Sequence, residues 1–402
     1  MTITAPPWTP VGRALVRAGG VALDLVDAGR RTYGFAHPLG SAEPPMSTPD
    51  QARLIAAAGA DELVLTLMRQ VHLPSEEQAF GVAADELPAL VEYLAARGVF
   101  ADPASYHVAP SLPELNWTSR SVIGRGFEQV TFTTPYAPPD NVPGAARYAL
   151  KTDNAVAHAW VVRQESPAPW VVGVHGAGMG DPLIDLVLFR AHALHRQGFN
   201  VAIAVLPHHG PRGLGRFEGS FPGVDLVSNL HGASQAIADV RAVLAWVADR
   251  GEPAALYGIS LGGYVASAVA ALEPSLRAVV AGVPVVDLSV LMRSHTPRQH
   301  LEDPRFVAMF EHATTLEAVT SPIRLGRPAA PVRRIYAGKA DRLVPADHVA
   351  PLVEHWGLDA PVWYTGGHLG FMTAPTVRRC IDDVLVEAEL AERRGDGIHA
   401  VV

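Results

Sequence analysis

A strand, a sharp turn and a helix are indicated near the centre of this chain. The turn is formed by residues 258–262, Gly-Ile-Ser-Leu-Gly, which follow the apolar run 254–257 and precede a stretch of small residues at 264–272. In this order the serine lies on a turn so tight that its side chain leaves the sheet. A Cβ atom at either glycine would clash where strand and helix approach each other. The pattern predicts that Ser260 is a nucleophile, although the motif without its context also fits an ordinary strand-to-helix turn.

Strand-like and helix-like segments alternate on both sides of this turn. The apolar run 170–174 has the continuous hydrophobicity of a strand inside a parallel sheet. The other predicted strands are 130–133, 156–162, 201–206, 254–257, 278–283, 334–337 and 362–364, and the predicted helices lie near 184–197, 226–249, 261–272, 346–356 and 375–393. This alternation predicts the α/β class with a doubly wound, mostly parallel sheet.

Two segments depart from the alternation. Residues 1–125 are predicted to form a mainly helical N-terminal extension. Residues 289–330 lie in a long interval without a predicted strand, which indicates a lid or cap insertion rather than a loop. The α/β core is therefore expected in two parts, 126–288 and 331–402. The helices predicted in the extension are 48–70 and 83–98.

The predicted insertion is more apolar than a loop that faces solvent. Met309 and Phe310 are examples, and they are predicted to contact a substrate and to limit its size. The alternative is that these side chains only cap an exposed flank of the core.

A serine nucleophile needs a base to take its proton and an acid to orient that base. The predicted acid is Asp341, which follows the strand at 334–337, at the edge where catalytic groups gather in open α/β sheets. Asp287, after the preceding strand, is the alternative acid. The predicted base is His368, which lies in a glycine-flanked loop after the last strand.

Backbone N–H groups on a glycine-rich turn can stabilise an oxyanion. Residues 174–180, Val-His-Gly-Ala-Gly-Met-Gly, follow the buried strand and supply such a turn. The N–H groups of Ala177 and Leu261 are the predicted pair of donors, with Gly178 as the alternative to Ala177. A phosphate-binding loop is the rival interpretation, but the run lacks the Lys-Ser/Thr ending of a P-loop.

Two adjacent histidines, His208 and His209, follow the strand at 201–206. A loop in this place is expected at the rim of a pocket, so both are predicted to contact substrate, and packing or capping is the alternative role. No third residue has metal-site spacing, so no metal and no cofactor are predicted.

These motifs together resemble the α/β-hydrolase superfamily over residues from about 127 to 392. The motifs that carry the resemblance are 258–263, 175–178, 338–345 and 367–368. The chain order Ser, Asp, His is also that of the superfamily. Residues 206–212 and 260–264 are similar, more weakly, to dienelactone-hydrolase-like esterases. The resemblance implies an α/β-hydrolase fold, with the extension outside its core.

The expected activity is cleavage of a small-molecule carboxylic ester by a cofactor-free serine hydrolase, through an acyl-enzyme and a Ser-His-Asp triad. An acyltransferase or a C–C bond hydrolase with the same triad is the alternative. A non-catalytic binding module is the third class, which the presence of all three triad residues argues against.

Charge and cysteine content limit the partners and the compartment. The net charge is −8 with a pI near 6.1, and no basic stripe carries interleaved aromatic residues, so no nucleic-acid partner is expected. No apolar run is long enough to span a membrane, and the N-terminus lacks the pattern of a signal peptide. With Cys380 as the single cysteine, no internal disulfide forms, and a cytoplasmic location is expected. The sequence indicates no oligomeric state.

Overall fold

The computed structural model describes residues 48–138, 141–213, 221–223, 225–296, 304–395 and 397–401. Within these ranges it gives the backbone but not the side chains of residues 48, 66–84 and 305. The first 47 residues of the predicted extension and residues 297–303 of the predicted insertion lie outside the described residues.

Among the described residues, nine strands form one mixed sheet, and two more form a separate hairpin. The strands are β1 (Asn116–Val122), β2 (Arg125–Thr133), β3 (Val156–Val162), β4 (Trp170–Val174), β5 (Asn200–Val205), β6 (Ala254–Ile259), β7 (Ala278–Gly282), β8 (Val332–Gly338), β9 (Val362–Tyr364), β10 (Ala391–Arg394) and β11 (Gly397–Ala400). The large sheet has the order β1-β2-β3-β5-β4-β6-β7-β8-β9. Strands β1, β2 and β3 pair antiparallel, β3 pairs antiparallel with β5, and all pairs from β5 to β9 are parallel. The predicted mostly parallel sheet is therefore confirmed.

Ten α-helices are described around and beside this sheet. They are α1 (Thr48–Ala95), α2 (Ala145–Ala149), α3 (Pro182–Leu188), α4 (Ala191–Arg196), α5 (Leu226–Asp249), α6 (Leu261–Leu272), α7 (Leu288–His295), α8 (Pro304–Thr320), α9 (Ala350–Trp356) and α10 (Pro375–Glu387). Helices α5, α6 and α9 share a buried core with one face of the sheet, and α3, α4 and α10 share a second core with the other face. The sheet is covered on both faces, as in a doubly wound fold.

Strand β4 shows why a continuous apolar run suits this position. Its side chains alternate between the two cores, because successive residues of a strand point to opposite faces. Val172 and Val174 lie in the core with α5 and α6, whereas Val171 lies in the core with α4 and α10. Every residue of β4 is buried.

The N-terminal extension contains one long helix where two were predicted. The backbone of α1 is helical without interruption from Thr48 to Ala95, so the break expected between 70 and 83 is absent. Packing near both ends of α1, against the loop after β8 and against α5 and α8, overrides the local preference for a break. Strand β1 also lies inside the segment 1–125, where it pairs with β2 as the edge of the sheet.

The segment 289–330 holds most of α7 and all of α8. Helix α8 packs against α1 and α5 in a buried cluster with contributions from all three helices. The members of this cluster include Leu87, Leu90, Leu94, Leu226, Leu230, Met309, Phe310, Ala313, Leu316 and Val319. The extension and the insertion therefore share one hydrophobic core outside the sheet, and the role of the insertion as a lid stays a prediction.

Candidate active site

Ser260 lies at the turn between β6 and α6 in a backbone conformation that side chains rarely adopt. Its φ is 58° and its ψ is −118°. The Ser260 N–H donates to the Gly282 carbonyl at 2.8 Å, which holds the turn against β7. A Cβ on Gly258 would lie 2.0 Å from the Gly262 oxygen, and one on Gly262 would lie 2.0 Å from the Val174 oxygen. The predicted need for both glycines is confirmed, because neither contact leaves room for a methyl group.

Three predicted side chains meet at the carboxyl edge of the sheet. Ser260 Oγ lies 3.0 Å from His368 Nε2. His368 Nδ1 lies 2.7 Å from Asp341 Oδ2. The other Asp341 oxygen accepts the Val344 N–H at 2.8 Å, which fixes the orientation of the carboxylate. An ionised carboxylate only accepts hydrogen bonds, so Asp341 selects the His368 tautomer with a proton on Nδ1 and a free lone pair on Nε2.

The electrostatic surroundings of His368 favour its protonated form. Burial lowers the pKa of His368, but the charge and hydrogen bond of Asp341 raise it, as does the charge of Asp61, and the pKa ends above its ordinary value of 6.5. His368 and Asp341 are both buried. The imidazole can therefore accept a proton from Ser260 and be stabilised as a cation.

The alternative acid, Asp287, has a different place in the structure. It is the N-cap of α7, where its Oδ1 accepts the Val290 N–H at 2.9 Å and the Ser289 hydroxyl at 2.7 Å. Its own N–H and that of Val286 donate to His348 Nε2 at 3.3 and 3.1 Å. The geometry brings Asp341, and not Asp287, to His368.

Two carboxylates on α1 reach the site. The sequence analysis did not connect these residues with it. Asp61 Oδ2 accepts the His368 N–H at 2.7 Å and the Arg342 N–H at 3.0 Å. Glu62 Oε1 lies 3.1 Å from Arg342 Nε. Both carboxylates are buried. The only signal in the sequence is an adjacent acidic pair inside the mainly apolar stretch 54–67.

The glycine-rich turn after β4 lies directly beside the nucleophile. A Cβ on Gly176 would come within 3.3 Å of Ser260 Cβ, so this turn and the elbow are in contact. Ala177, the next residue, is exposed, and Leu261 supplies the first backbone N–H of α6. The first N–H groups of a helix have no partner within it and are available to an anion. These positions suit the predicted donors, whose role stays a prediction.

Two buried side chains hold this turn from behind. His175 Nδ1 donates to the Gly176 oxygen, and its Nε2 accepts the Leu206 N–H at 3.1 Å. Burial lowers the pKa of His175 to about 4, so the ring is neutral, as these two bonds require. Asp185 accepts the Gly180 N–H at 3.3 Å, and burial raises the pKa of its carboxyl to about 7.

The structure places His208 and His209 in buried positions behind the same turn. The His208 N–H donates to Asn154 Oδ1 at 2.8 Å, and His209 Nδ1 donates to the Pro207 oxygen at 2.8 Å. The His209 ring packs on that of His175, with centroids 5.2 Å apart. Burial lowers the pKa of each ring to about 3, so both are neutral. Their contact with substrate stays a prediction.

Met309 and Phe310 are buried in the cluster of α1, α5 and α8. A cavity lies beside that cluster, between α5, α7 and α8. Its lining residues are Leu226, Asn229, Leu230, Leu288, Ser289, Met292, Ala313, Leu316, Glu317 and Thr320. Thr320 Oγ1 lies 2.7 Å from the hydroxyl of Tyr264, one turn along α6 from Ser260, which ties the insertion to the elbow helix.

Within the part of the chain that the structure describes, no group of three His, Cys, Asp or Glu side chains is arranged to hold a metal ion. No helix in the same part is both long and apolar enough to cross a membrane.

Comparisons with known proteins identify relatives in sequence and in structure. No family model matches the chain. Two uncharacterised proteins of Mycobacterium tuberculosis, from strains CDC 1551 / Oshkosh and H37Rv, are each 38% identical to it over 356 residues, which cover 87% of this chain and 85% of the relative.

Several solved structures have a similar course of the chain. An acetyl xylan esterase 1 from Thermoanaerobacterium sp. JW/SL YS485 has a TM-score of 0.49 at 18% identity, over 72% of this chain and 93% of that chain. An acetyl xylan esterase from Paenibacillus sp. R4 has a TM-score of 0.49 at 15% identity, over 81% and 98%. A puromycin-hydrolyzing peptidase of Mycobacterium tuberculosis has a TM-score of 0.43 at 19% identity, over 72% and 41%. The assignment of the fold rests on the strand order and the elbow of this chain itself.

Proposed function

We propose that this chain, which belongs to the α/β-hydrolase superfamily and to one family with the two Mycobacterium tuberculosis proteins, is a serine hydrolase of carboxylic esters. The observation that carries the proposal is the unbroken line of hydrogen bonds from Ser260 through His368 to Asp341. A nucleophile, a base and an orienting acid in this geometry are the parts required for acyl transfer.

The first half of the reaction forms an acyl-enzyme. His368 Nε2 takes the hydroxyl proton as Ser260 Oγ attacks the ester carbonyl, and Asp341 stabilises the resulting imidazolium. The tetrahedral oxyanion is bound by the backbone N–H groups of Ala177 and Leu261, on the turn beside Ser260 and at the start of α6. His368 then gives its proton to the departing alkoxide, and the alcohol leaves.

The second half regenerates the enzyme. Water gives a proton to His368 Nε2 and attacks the acyl carbon. As the second tetrahedral intermediate collapses, His368 returns this proton to Ser260 Oγ and the acid is released. An acceptor alcohol in place of water would make the same site an acyltransferase. Hydrolysis requires water as the acceptor, and product analysis with and without an acceptor alcohol measures which acceptor the acyl-enzyme uses.

A fluorophosphonate probe and a panel of p-nitrophenyl esters of increasing acyl length test the proposal together. The wild-type protein is expected to be labelled and to hydrolyse at least one ester, whereas Ser260→Ala is expected to lose roughly four to six orders of magnitude in kcat. Ser119→Ala, an exposed serine on the edge strand β1, is the matched control and should behave as wild type.

Three results would contradict parts of the proposal. Labelling that persists in Ser260→Ala would exclude this serine as the nucleophile. Faster cleavage of p-nitroanilides than of the matching esters would assign the site to amides. A dominant transfer product in the presence of an acceptor alcohol would favour the acyltransferase.

A further inference from the structure

We infer that Asp61, on the helix α1 outside the α/β core, is a positioning residue. It holds the loop that carries the base His368 (the base loop) and the loop that carries the acid Asp341 (the acid loop) in fixed positions relative to each other. The inference rests on the proposed function, because it assigns Asp61 a role in the reaction of Ser260. Asp61 itself touches neither the reacting oxygen nor the imidazole ring in the hydrogen bonds described.

A single oxygen atom joins the two catalytic loops. Asp61 Oδ2 accepts the backbone N–H of His368, the base, at 2.7 Å. The same atom accepts the backbone N–H of Arg342, the residue after the acid Asp341, at 3.0 Å. The peptide units next to both catalytic side chains are thus fixed to one point. A displacement of about 1 Å in such a site can cost about 100-fold in rate, so a fixed point of this kind matters to turnover.

The base loop is shaped to admit the carboxylate. A Cβ on Gly367 would lie 2.7 Å from both Asp61 oxygens, so only glycine leaves room for the carboxylate at this position. The φ of Gly367 is −85°, which alanine adopts freely. The glycine at 367 therefore serves the contact with Asp61 and not the conformation of the turn.

Helix α1 is anchored beside this contact. Leu54 and Ala58 pack against Ala340, the residue before Asp341, in a small buried cluster. Glu62 pairs with the Arg342 side chain at 3.1 Å. The carboxylate of Asp61 thus arrives at the loops on a helix that is fixed on both sides of it.

The charge of Asp61 acts on the base as well. The titratable groups that face His368 and Asp61 are Asp341 from the acid loop, Tyr364 from β9, and the Arg342–Glu62 pair. Burial raises the pKa of Tyr364, which therefore stays neutral. Burial raises the pKa of Asp61, the N–H groups of Arg342 and His368 lower it, and the charge of Asp341 raises it, with a net increase.

Two substitutions separate the effect of the hydrogen bonds that Asp61 accepts from the effect of its charge. Asp61→Asn keeps an oxygen that can accept both N–H groups but removes the charge, whereas Asp61→Ala removes both. Asp61→Asn should keep kcat/KM within a few fold at high pH and move its acidic limb to lower pH, because the imidazolium loses a stabilising charge. Asp61→Ala should lower kcat by about 10- to 100-fold.

Gly367→Ala tests the same contact from the other side. In the wild-type background it should lower kcat, because the new methyl group displaces the carboxylate. In the Asp61→Ala background it should have little further effect, so the two changes are not additive. Asp85→Asn is the matched control: it neutralises an exposed carboxylate of the same helix α1 and should leave the acidic limb in place.

The experiment measures the pH dependence of kcat/KM on the best p-nitrophenyl ester, and of the rate of fluorophosphonate labelling, for these variants. Wild-type labelling that is lost in Ser260→Ala reports on the proposed function alone. With that established, the inference is overturned if Asp61→Ala stays within about twofold of wild type, or if Gly367→Ala costs the same in both backgrounds. If Asp61→Ala fails to fold, Asp61→Asn and Gly367→Ala decide it. Without any labelling at Ser260, the proposed function is at fault and Asp61 has no reaction to position.

Discussion

Replacing Phe310 by alanine separates a structural role of the insertion from a role in substrate contact. Phe310 is only 5% exposed and lies in one buried cluster with Leu87 and Leu90 of α1 and with Leu226 of α5. Truncation of a buried phenylalanine costs about 3–5 kcal/mol of unfolding free energy. An unfolding entropy of about 2.1 cal/mol/K per residue gives about 0.84 kcal/mol/K for a chain of 402 residues. The melting temperature should therefore fall by about 4–6 °C.

Paired measurements on the same preparation decide between the two roles. Calorimetric melting at several scan rates gives the change in stability, and the p-nitrophenyl ester panel gives the preference for acyl length. Val307→Ala is the matched control, because Val307 is on the same helix with its side chain 45% exposed. Its melting temperature should stay within about 1 °C of wild type, as surface substitutions change stability by about 0.5 kcal/mol or less.

One combination of results would contradict a structural role for Phe310. If Phe310→Ala melts within about 1 °C of wild type and prefers a different acyl length, the side chain contacts substrate and does not support the cluster. A large loss of stability with an unchanged preference would instead leave the insertion as a cap for α1 and α5.

Three further substitutions test the electrostatics of the molecule. Asp341→Asn should lower kcat by about 10⁴-fold through the wrong His368 tautomer, whereas Asp287→Asn should leave kcat near wild type and cost at most about 1 kcal/mol of helix capping; the reverse ranking in steady-state kinetics would move the acid to β7. Burial, and then the charge of Asp287, raise the pKa of Glu317 from 4.5 to about 8, so its stabilising contribution is present below pH 4.5 and is lost as the pH rises to about 8. The melting temperature of Glu317→Gln should therefore rise relative to that of wild type as the pH is raised across this range. A difference in melting temperature that does not change with pH would show that Glu317 is already ionised.

The sheet and the arrangement of Ser260, Asp341 and His368 were accessible from the sequence, because both depend on local patterns. A buried parallel strand is a continuous apolar run, and a tight turn after it needs glycine, so each strand and the loop behind it can be recognised within about ten residues. Parallel strands then bring their carboxyl ends to one edge. In the structure, Gly258 lies opposite Val174 and Ile259 opposite Gly282, so the elbow and the neighbouring loops emerge together.

The part of the site contributed by α1 was not accessible in this way. Asp61 and Glu62 alone resemble the solvated face of a helix, and the apolar stretch 54–67 around them does not indicate which partners would satisfy two buried carboxylates. Their partners, Arg342 and His368, are 280 to 307 residues away along the chain. The continuity of helix α1 was not predicted for a related reason. Tertiary packing near both ends of the helix decides it, and local sequence does not show that packing.

The distance along the chain between Asp61 and its partners also bears on how the protein is made. Helix α1 leaves the ribosome early, but the N–H of His368 that Asp61 accepts is synthesised 307 residues later. At about 5–20 residues per second, this interval lasts about 15 to 60 seconds. Early in that interval Leu54 lacks Ala340, and Leu87 and Leu90 lack Leu226 of α5 and Phe310 of α8, because these partners are synthesised later. Helix α1 is thus the first described segment to be synthesised, and its contact with His368 is among the last to form, so part of its apolar surface stays uncovered while the core is still being synthesised.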